Sequence, residues 1–289
     1  MYSVTIIGAG RVGGALALAL PADKYHVENL IHRTRPSALE LPEAILRAAA
    51  DDPVISSQIV IIGTQDSEIA GVAGNLASTL QNRPFVYHTS GALSSSILSE
   101  LATRGCPVGS IHPLVSISSP AAGAASFRGI RFCIEGTSEA MIVAAEIAAD
   151  LGGESFSIDT NFKTLYHAAA VTACGHLVAL FDMSVEIMGK CGLSEADSRA
   201  TLLPLVASTV RNLADQSTAA ALTGTFARAD IETFTRHLIA LNQNVSEELL
   251  EIYLLLGERS LELAARKGVS SERIELLRTK VAIAKSKLR

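Results

Sequence analysis

The chain has 289 residues, 48% of them apolar and 18% charged, with a formal net charge of −5. That much apolar side chain fills one large or two ordinary cores and excludes wholesale disorder, while the acidic balance has the wrong sign for binding nucleic acid by counterion release. Aromatic residues make up only 4% and tryptophan is absent, which argues against base-stacking surfaces.

Up to residue 159, short β-branched runs alternate with Ala/Leu-rich stretches of helical spacing. Val4–Ile7, Val27–Ile31, Ile59–Ile62, Phe85–His88, Val108–Ile111 and Arg131–Ile134 read as strands. The third is apolar throughout, as a strand covered on both faces would be. Arg11–Leu20, Ser67–Leu80, Ser94–Thr103 and Ser138–Leu151 read as the helices between them. Such alternation is the signature of a doubly wound, mostly parallel α/β sheet. From residue 160 the strands cease, and Asn161–Met188, Ser194–Asp215, Ile231–Lys267 and Ser271–Leu288 read as long helices. Ser194 with Asp197 resembles a capping box, Pro204 predicts a kink, Asp230 is a good N-cap and Gly268 a helix stop. The expected organisation is an α/β domain over residues 1–159 and an all-helical domain over 160–289.

The four cysteines, Cys106, Cys133, Cys174 and Cys191, are scattered without metal-ligand spacing and read as buried thiols of a reducing compartment. No basic segment precedes an apolar one at the N-terminus, and Ala168–Phe181 is interrupted by Thr172, Gly175 and His176. No membrane span and a cytoplasmic location are therefore expected.

Gly8-Ala9-Gly10-Arg11-Val12-Gly13 fits GxGxxG, placed after a strand and at the start of a helix. Gly8 permits the tight turn, Gly10 lets backbone approach a pyrophosphate, and Gly13 lets the helix pack on the sheet with its N-terminus facing the anion. This makes the first domain Rossmann-like. The second strand runs into His32-Arg33-Thr34-Arg35, without the carboxylate that would hold a ribose 2′-hydroxyl. Guanidinium and hydroxyl groups there suit a 2′-phosphate, so NADP is expected over NAD. Ligands in such sheets bind beyond the carboxyl ends of strands, where Thr64-Gln65, His88-Thr89-Ser90-Gly91 and Ser110-Ile111-His112-Pro113 stand. Thr64, Gln65 and His88 are expected to line the cofactor, and Ser90 and His112 to face the reacting centre. At helical spacing Lys163, His167, Ala170 and Cys174 share one face, with Tyr166 on its flank. Lys163 and His167 are candidates for proton transfer or substrate orientation.

The glycine turn, His88-Thr89-Ser90-Gly91-Ala92-Leu93, Ser110-Ile111-His112-Pro113-Leu114, Tyr166-His167-Ala168-Ala169-Ala170-Val171 and Ala221-Leu222-Thr223-Gly224 occur in this order. The series resembles a bacterial family of NADP-dependent oxidoreductases with a Rossmann-like N-terminal domain and a helical C-terminal domain of unknown function. That family is akin to pyrroline-5-carboxylate reductase, ketopantoate reductase and the 6-phosphogluconate dehydrogenase-like enzymes. The resemblance implies hydride transfer and a homodimer formed through the helical domain. Where the family carries an Asn twelve residues after the Lys, this chain has Gly175. The Gly expected between Arg228 and Asp230 is Ala229, and Thr225-Phe226 replaces Pro-Ile.

The expected function is transfer of a hydride between NADP and a small polar, anionic carbonyl, imine or hydroxy-acid substrate. The alternative is a catalytically inactive NADP-binding regulatory or partner-binding protein, prompted by Gly175. No metal site is expected.

Overall fold

The computed structural model describes residues 1–34, 45–51 and 54–288; Arg35, read above as part of the basic loop, lies outside them. Two compact units, Met1–Gly175 and His176–Arg289, divide the chain.

In the first unit the elements follow in the order β1 (Tyr2–Ile7), α1 (Arg11–Ala19), β2 (Tyr25–His32), β3 (Leu46–Ala48), β4 (Ile59–Ile62), α2 (Asp66–Thr79), β5 (Phe85–His88), α3 (Ser99–Thr103), β6 (Val108–Pro113), α4 (Pro120–Ser126), β7 (Arg131–Gly136), α5 (Ser138–Asp150) and β8 (Glu154–Phe156). They build an eight-stranded sheet in the order β3-β2-β1-β4-β5-β6-β7-β8. Every neighbouring pair is parallel except β6 and β7. All six expected strands are present. β3 and β8 escape a reading of the sequence because three residues are too few to show a period. The expected helix over Ser94–Thr103 is instead a 3₁₀ turn, Ser95–Leu98, followed by the single turn of α3.

β4 shows why this sheet is covered on both sides. Its four residues are all buried; Ile59 and Ile61 join Val4, Ile6, Leu16 and Tyr87 on one face, and Val60 and Ile62 join Ile69, Val86 and Leu98 on the other. The connections run opposite ways from β1 and β4, which opens a crevice beyond their carboxyl ends.

Beyond β8 the chain is helical: α6 (Lys163–Lys190), α7 (Glu195–Asp215), the short α8 (Thr218–Ala221) and α9 (Gly224–Ala227), α10 (Ile231–Asn244), α11 (Glu247–Arg266) and α12 (Ser271–Ser286). The single helix expected over Ile231–Lys267 is two, because the Ser246 hydroxyl accepts the Leu249 N–H at 3.2 Å and starts a new helix. Asp230 caps α10 as expected, accepting the Thr233 N–H at 3.0 Å. Gly268, at φ +87°, ends α11. α7 passes through Pro204 without interruption. Phe234, Leu254, Leu261, Leu277 and Val281 form the core of the second unit.

Two details differ from the reading of the sequence. Residues Thr160–Lys190 are long and apolar enough to cross a membrane by length and composition, since the flanking Ala, Val and Leu outweigh Thr172, Gly175 and His176. Apart from Lys163 its residues are not buried within the chain, and Leu165 and Val178 are both about two-thirds exposed. Cys106 and Cys133 are buried, but Cys174 and Cys191 are exposed because they lie on and just after this uncovered helix.

Candidate active site

A cleft of about 560 Å³ opens beyond the carboxyl ends of β1, β2 and β4. Gly8, Gly10, His32, Arg33, Thr34, Gly63, Thr64 and Gln65 line it, together with Glu68 and Asn75, which the sequence did not single out. Gly8 has φ +108°, and a Cβ there would lie 2.7 Å from the Gly63 carbonyl carbon. A Cβ on Gly13 would lie 1.9 Å from the Gly8 carbonyl oxygen, so Gly13 permits the close approach of helix and turn. Gly10 faces open space. Four residues expected to touch a cofactor, Arg11, Val12, Gly13 and His88, do not line the cleft. Arg11 turns its guanidinium toward the Ile117 carbonyl, 3.4 Å away, and Val12 packs on the core. His88 is fully buried.

The Arg33 guanidinium pairs with the Glu68 carboxylate, which the first turn of α2 brings across the cleft. His32 Nδ1 is buried and has no hydrogen-bond partner among the described residues.

A second polar group gathers at the ends of β5 and β6. His112 Nδ1 lies 2.8 Å from the Tyr166 hydroxyl, and the His112 ring stands edge-on to those of Tyr166 and His167, with centroids 5.6 and 6.0 Å apart. Gly91 floors the pair: a Cβ there would meet His167 Cδ2 at 2.6 Å and His112 Nε2 at 2.7 Å. Both histidines are half-buried.

Lys163 does not share an open face with His167, contrary to expectation. Its side chain is 2% exposed, and Nζ donates to Ser110 Oγ at 2.8 Å and to Glu135 Oε1 at 3.4 Å. Ser110 Oγ donates in turn to the Ser90 carbonyl at 3.3 Å, and Glu135 accepts the Ser95 N–H at 2.8 Å and the Ser95 hydroxyl at 2.6 Å. A buried ammonium needs such partners, and here they fix the loop after β5 at both ends. Ser90 Oγ accepts the N–H groups of Ala92 and Leu93, both at 3.1 Å, and so holds the turn from within. His88 contributes likewise: Nδ1 accepts the Ser90 N–H at 3.2 Å.

Burial, reinforced by the Lys163 ammonium, pushes His88 down to about 4. The same two causes, with His167 adding to them, bring His112 to about 4. Burial raises the Tyr166 phenol well above its ordinary value and raises the Cys133 thiol. Both buried imidazoles are therefore neutral near pH 7. Among the described residues no group of three or more His, Cys, Asp or Glu could hold a metal ion.

Sequence reasoning missed Glu68, Glu135 and the role of Gly91. Glu68 and Glu135 look like surface carboxylates, and only the pairing of β6 with β7 brings Glu135 opposite Ser110.

Residues 1–113 match a Rossmann-like domain and residues 130–260 match the domain of unknown function DUF2520. A Streptomyces niveus protein named a probable prephenate dehydrogenase is 26% identical over 217 residues, covering 73% of this chain; the chain spans about half, 51%, of that relative's length. A Bacteroides fragilis structure provisionally named an NADP oxidoreductase shares the fold with a TM-score of 0.74, at 23% identity over 90% of this chain and 98% of that one. Plasmodium falciparum pyrroline carboxylate reductase, solved with NADP bound, shares it with a TM-score of 0.60, at 12% identity over 91% and 98%. The chain thus joins a Rossmann-like domain to the helical DUF2520 domain, in a fold shared with NADP oxidoreductases.

Proposed function

We propose that the protein is an NADP-dependent oxidoreductase acting on a small polar carbonyl, imine or hydroxy-acid substrate. One observation carries this reading: a glycine-lined cleft and a His112–Tyr166–His167 cluster both lie at carboxyl ends of strands of one sheet. The cleft residues fit the cofactor. Gly10 faces open space, a Cβ on Gly8 would strike the Gly63 backbone, His32 Nδ1 has no partner among the described residues, and Arg33 stands where a 2′-phosphate-binding group is needed. Gly8, Gly10, Thr34 and Arg33 would hold NADP, which supplies the hydride when bound. The backbone of the α1 N-terminus favours an anion, and Arg33 adds a charge-assisted donor once released from Glu68. His112 orients the substrate's acceptor atom, and His167, beside it and without a side-chain hydrogen bond among the described residues, is the candidate for moving a proton. Ser90, Lys163 and Glu135 hold the loop that carries Gly91.

The test is a screen of small keto acids, imines and hydroxy acids, read by the change in NADPH absorbance. Turnover that disappears in His112→Ala and His167→Ala, with NADPH affinity unchanged, supports the reading. A second reading, a cofactor-binding protein without catalysis, is favoured by Gly175 in place of Asn and by the sequestration of Lys163. NADPH binding with no turnover across the screen would favour it.

We also infer a cytoplasmic homodimer. The apolar side chains Leu165 and Val178 on α6 and Leu203, Leu205 and Val210 on α7 are all at least half exposed, and a second copy of the chain would cover them. Light scattering on the purified protein tests this, and a monomer would refute it. Nucleic acid is no partner on this reading, given the acidic charge.

A further inference from the structure

β6 and the first turn of α6 are joined by two rungs. Ser110 and His112 are two residues apart on the strand and therefore share a face; Lys163 and Tyr166 are three apart on the helix and share another. Lys163 reaches Ser110 at 2.8 Å, and Tyr166 reaches His112 at 2.8 Å. The lower rung is shut away among Glu135, Ser95 and the Ser90 carbonyl. The upper rung ends at His112 Nε2, which lies over Gly91 beside His167.

We propose that Tyr166 and Lys163 are positioning residues that hold His112 as a single tautomer, with Nδ1 accepting from the phenol and Nε2–H presented to the acceptor atom of a substrate. This deepens the oxidoreductase reading and rests on it. A phenol donates more strongly than a neutral imidazole N–H, and an imidazole sp² nitrogen accepts more strongly than a phenol oxygen. The bond at 2.8 Å therefore runs from Tyr166 to Nδ1. That leaves the proton on Nε2, the end of the ring that lies over Gly91.

The groups facing His112 are Lys163, Tyr166 and His167 from α6, His88 from β5, Asp66 from α2, and Cys133 and Glu135 from β7. Lys163 is the buried cation among them, and with burial it keeps the imidazole uncharged. A neutral Nε2–H forms a hydrogen bond but does not surrender its proton, because that would leave an imidazolate. The substrate class this fits carries a carbonyl or carboxylate oxygen at that point. Any proton delivered to product must then come from another group, for which His167 is adjacent.

The test is ¹⁵N NMR of the histidine side chains in the full-length protein, with His112 assigned from the spectrum of His112→Asn. Protonated-type Nε2 and unprotonated-type Nδ1 shifts, constant from pH 8 to pH 5, are expected. Tyr166→Phe, which keeps the ring, should produce a mixture of tautomers. Lys163→Met should move the His112 midpoint up by about one pH unit; if that variant does not fold, Tyr166→Phe alone decides. A proton on Nδ1 in the wild type, or an unchanged tautomer in Tyr166→Phe, overturns the proposal. Neither result depends on cofactor, so the oxidoreductase reading stands or falls separately, on NADPH binding and turnover.

Discussion

Gly91→Ala is the most informative single change, because one methyl group would enter the space on which two rings converge. The added Cβ would sit 2.6 Å from His167 Cδ2 and 2.7 Å from His112 Nε2. Ordinary carbon contacts begin near 3.5 Å, so each ring must retreat by about 1 Å. His112 cannot retreat that far and keep its 2.8 Å bond to Tyr166. Overpacking of this kind costs about 1–3 kcal/mol of stability, and a 1 Å displacement of reacting groups costs on the order of 100-fold in rate. Gly91 does not line the cofactor cleft, so NADPH affinity should be unchanged. Thermal denaturation, NADPH titration and turnover of the Ala variant together make the assay. Wild-type turnover in that variant, or an equal loss of NADPH binding, would refute the geometry described for the site.

Arg33→Ala should weaken NADPH about tenfold or more while leaving NADH nearly unchanged, as loss of one charge-assisted contact to a phosphate predicts; calorimetry with both nucleotides checks it. Glu68→Gln should do the reverse, tightening NADPH a few-fold, because the carboxylate that holds Arg33 also opposes a phosphate in the same cleft. Glu135→Gln should destabilise the fold by about 3–5 kcal/mol in urea denaturation, since Lys163 is left as an unpaired buried charge. Stability should also fall in acid. His88 and His112 are lowered to about 4 in the fold, below the ordinary 6.5, so the unfolded chain binds more protons between those values. Their contribution is complete above pH 6.5 and is lost as pH falls toward 4; denaturation midpoints measured across that window should decline.

The sheet was legible because its strands are apolar on both faces and end in glycine or polar turns, as Ile59–Ile62 before Gly63 shows. The glycine turn was legible because part of its reason is local: Gly13 closes on the Gly8 carbonyl within the same turn, although the contact that requires glycine at Gly8 comes from Gly63, distant in sequence. Residues whose role depends on partners distant in sequence were not. Lys163 and His167 share a helical face by spacing, but Lys163 is drawn inward by Ser110 and by Glu135, 53 and 28 residues away. His88 likewise looked like a ligand at a strand end, and instead it braces its own turn. The departure noted at Ala229 has a visible consequence, since this buried residue is held at φ +45°, where glycine would be at ease. The exposed length of α6 was obscured by single polar residues, which interrupt an apolar run without changing its average.

Calorimetric titration of ligand-stripped protein with NADPH bears most directly on the central claim, that the glycine-lined crevice between β1 and β4 is a dinucleotide site. Saturable heat with one nucleotide per chain, weaker for NADH and reduced in Arg33→Ala, is the predicted result. No heat from either nucleotide, in oxidised or reduced form, would contradict it.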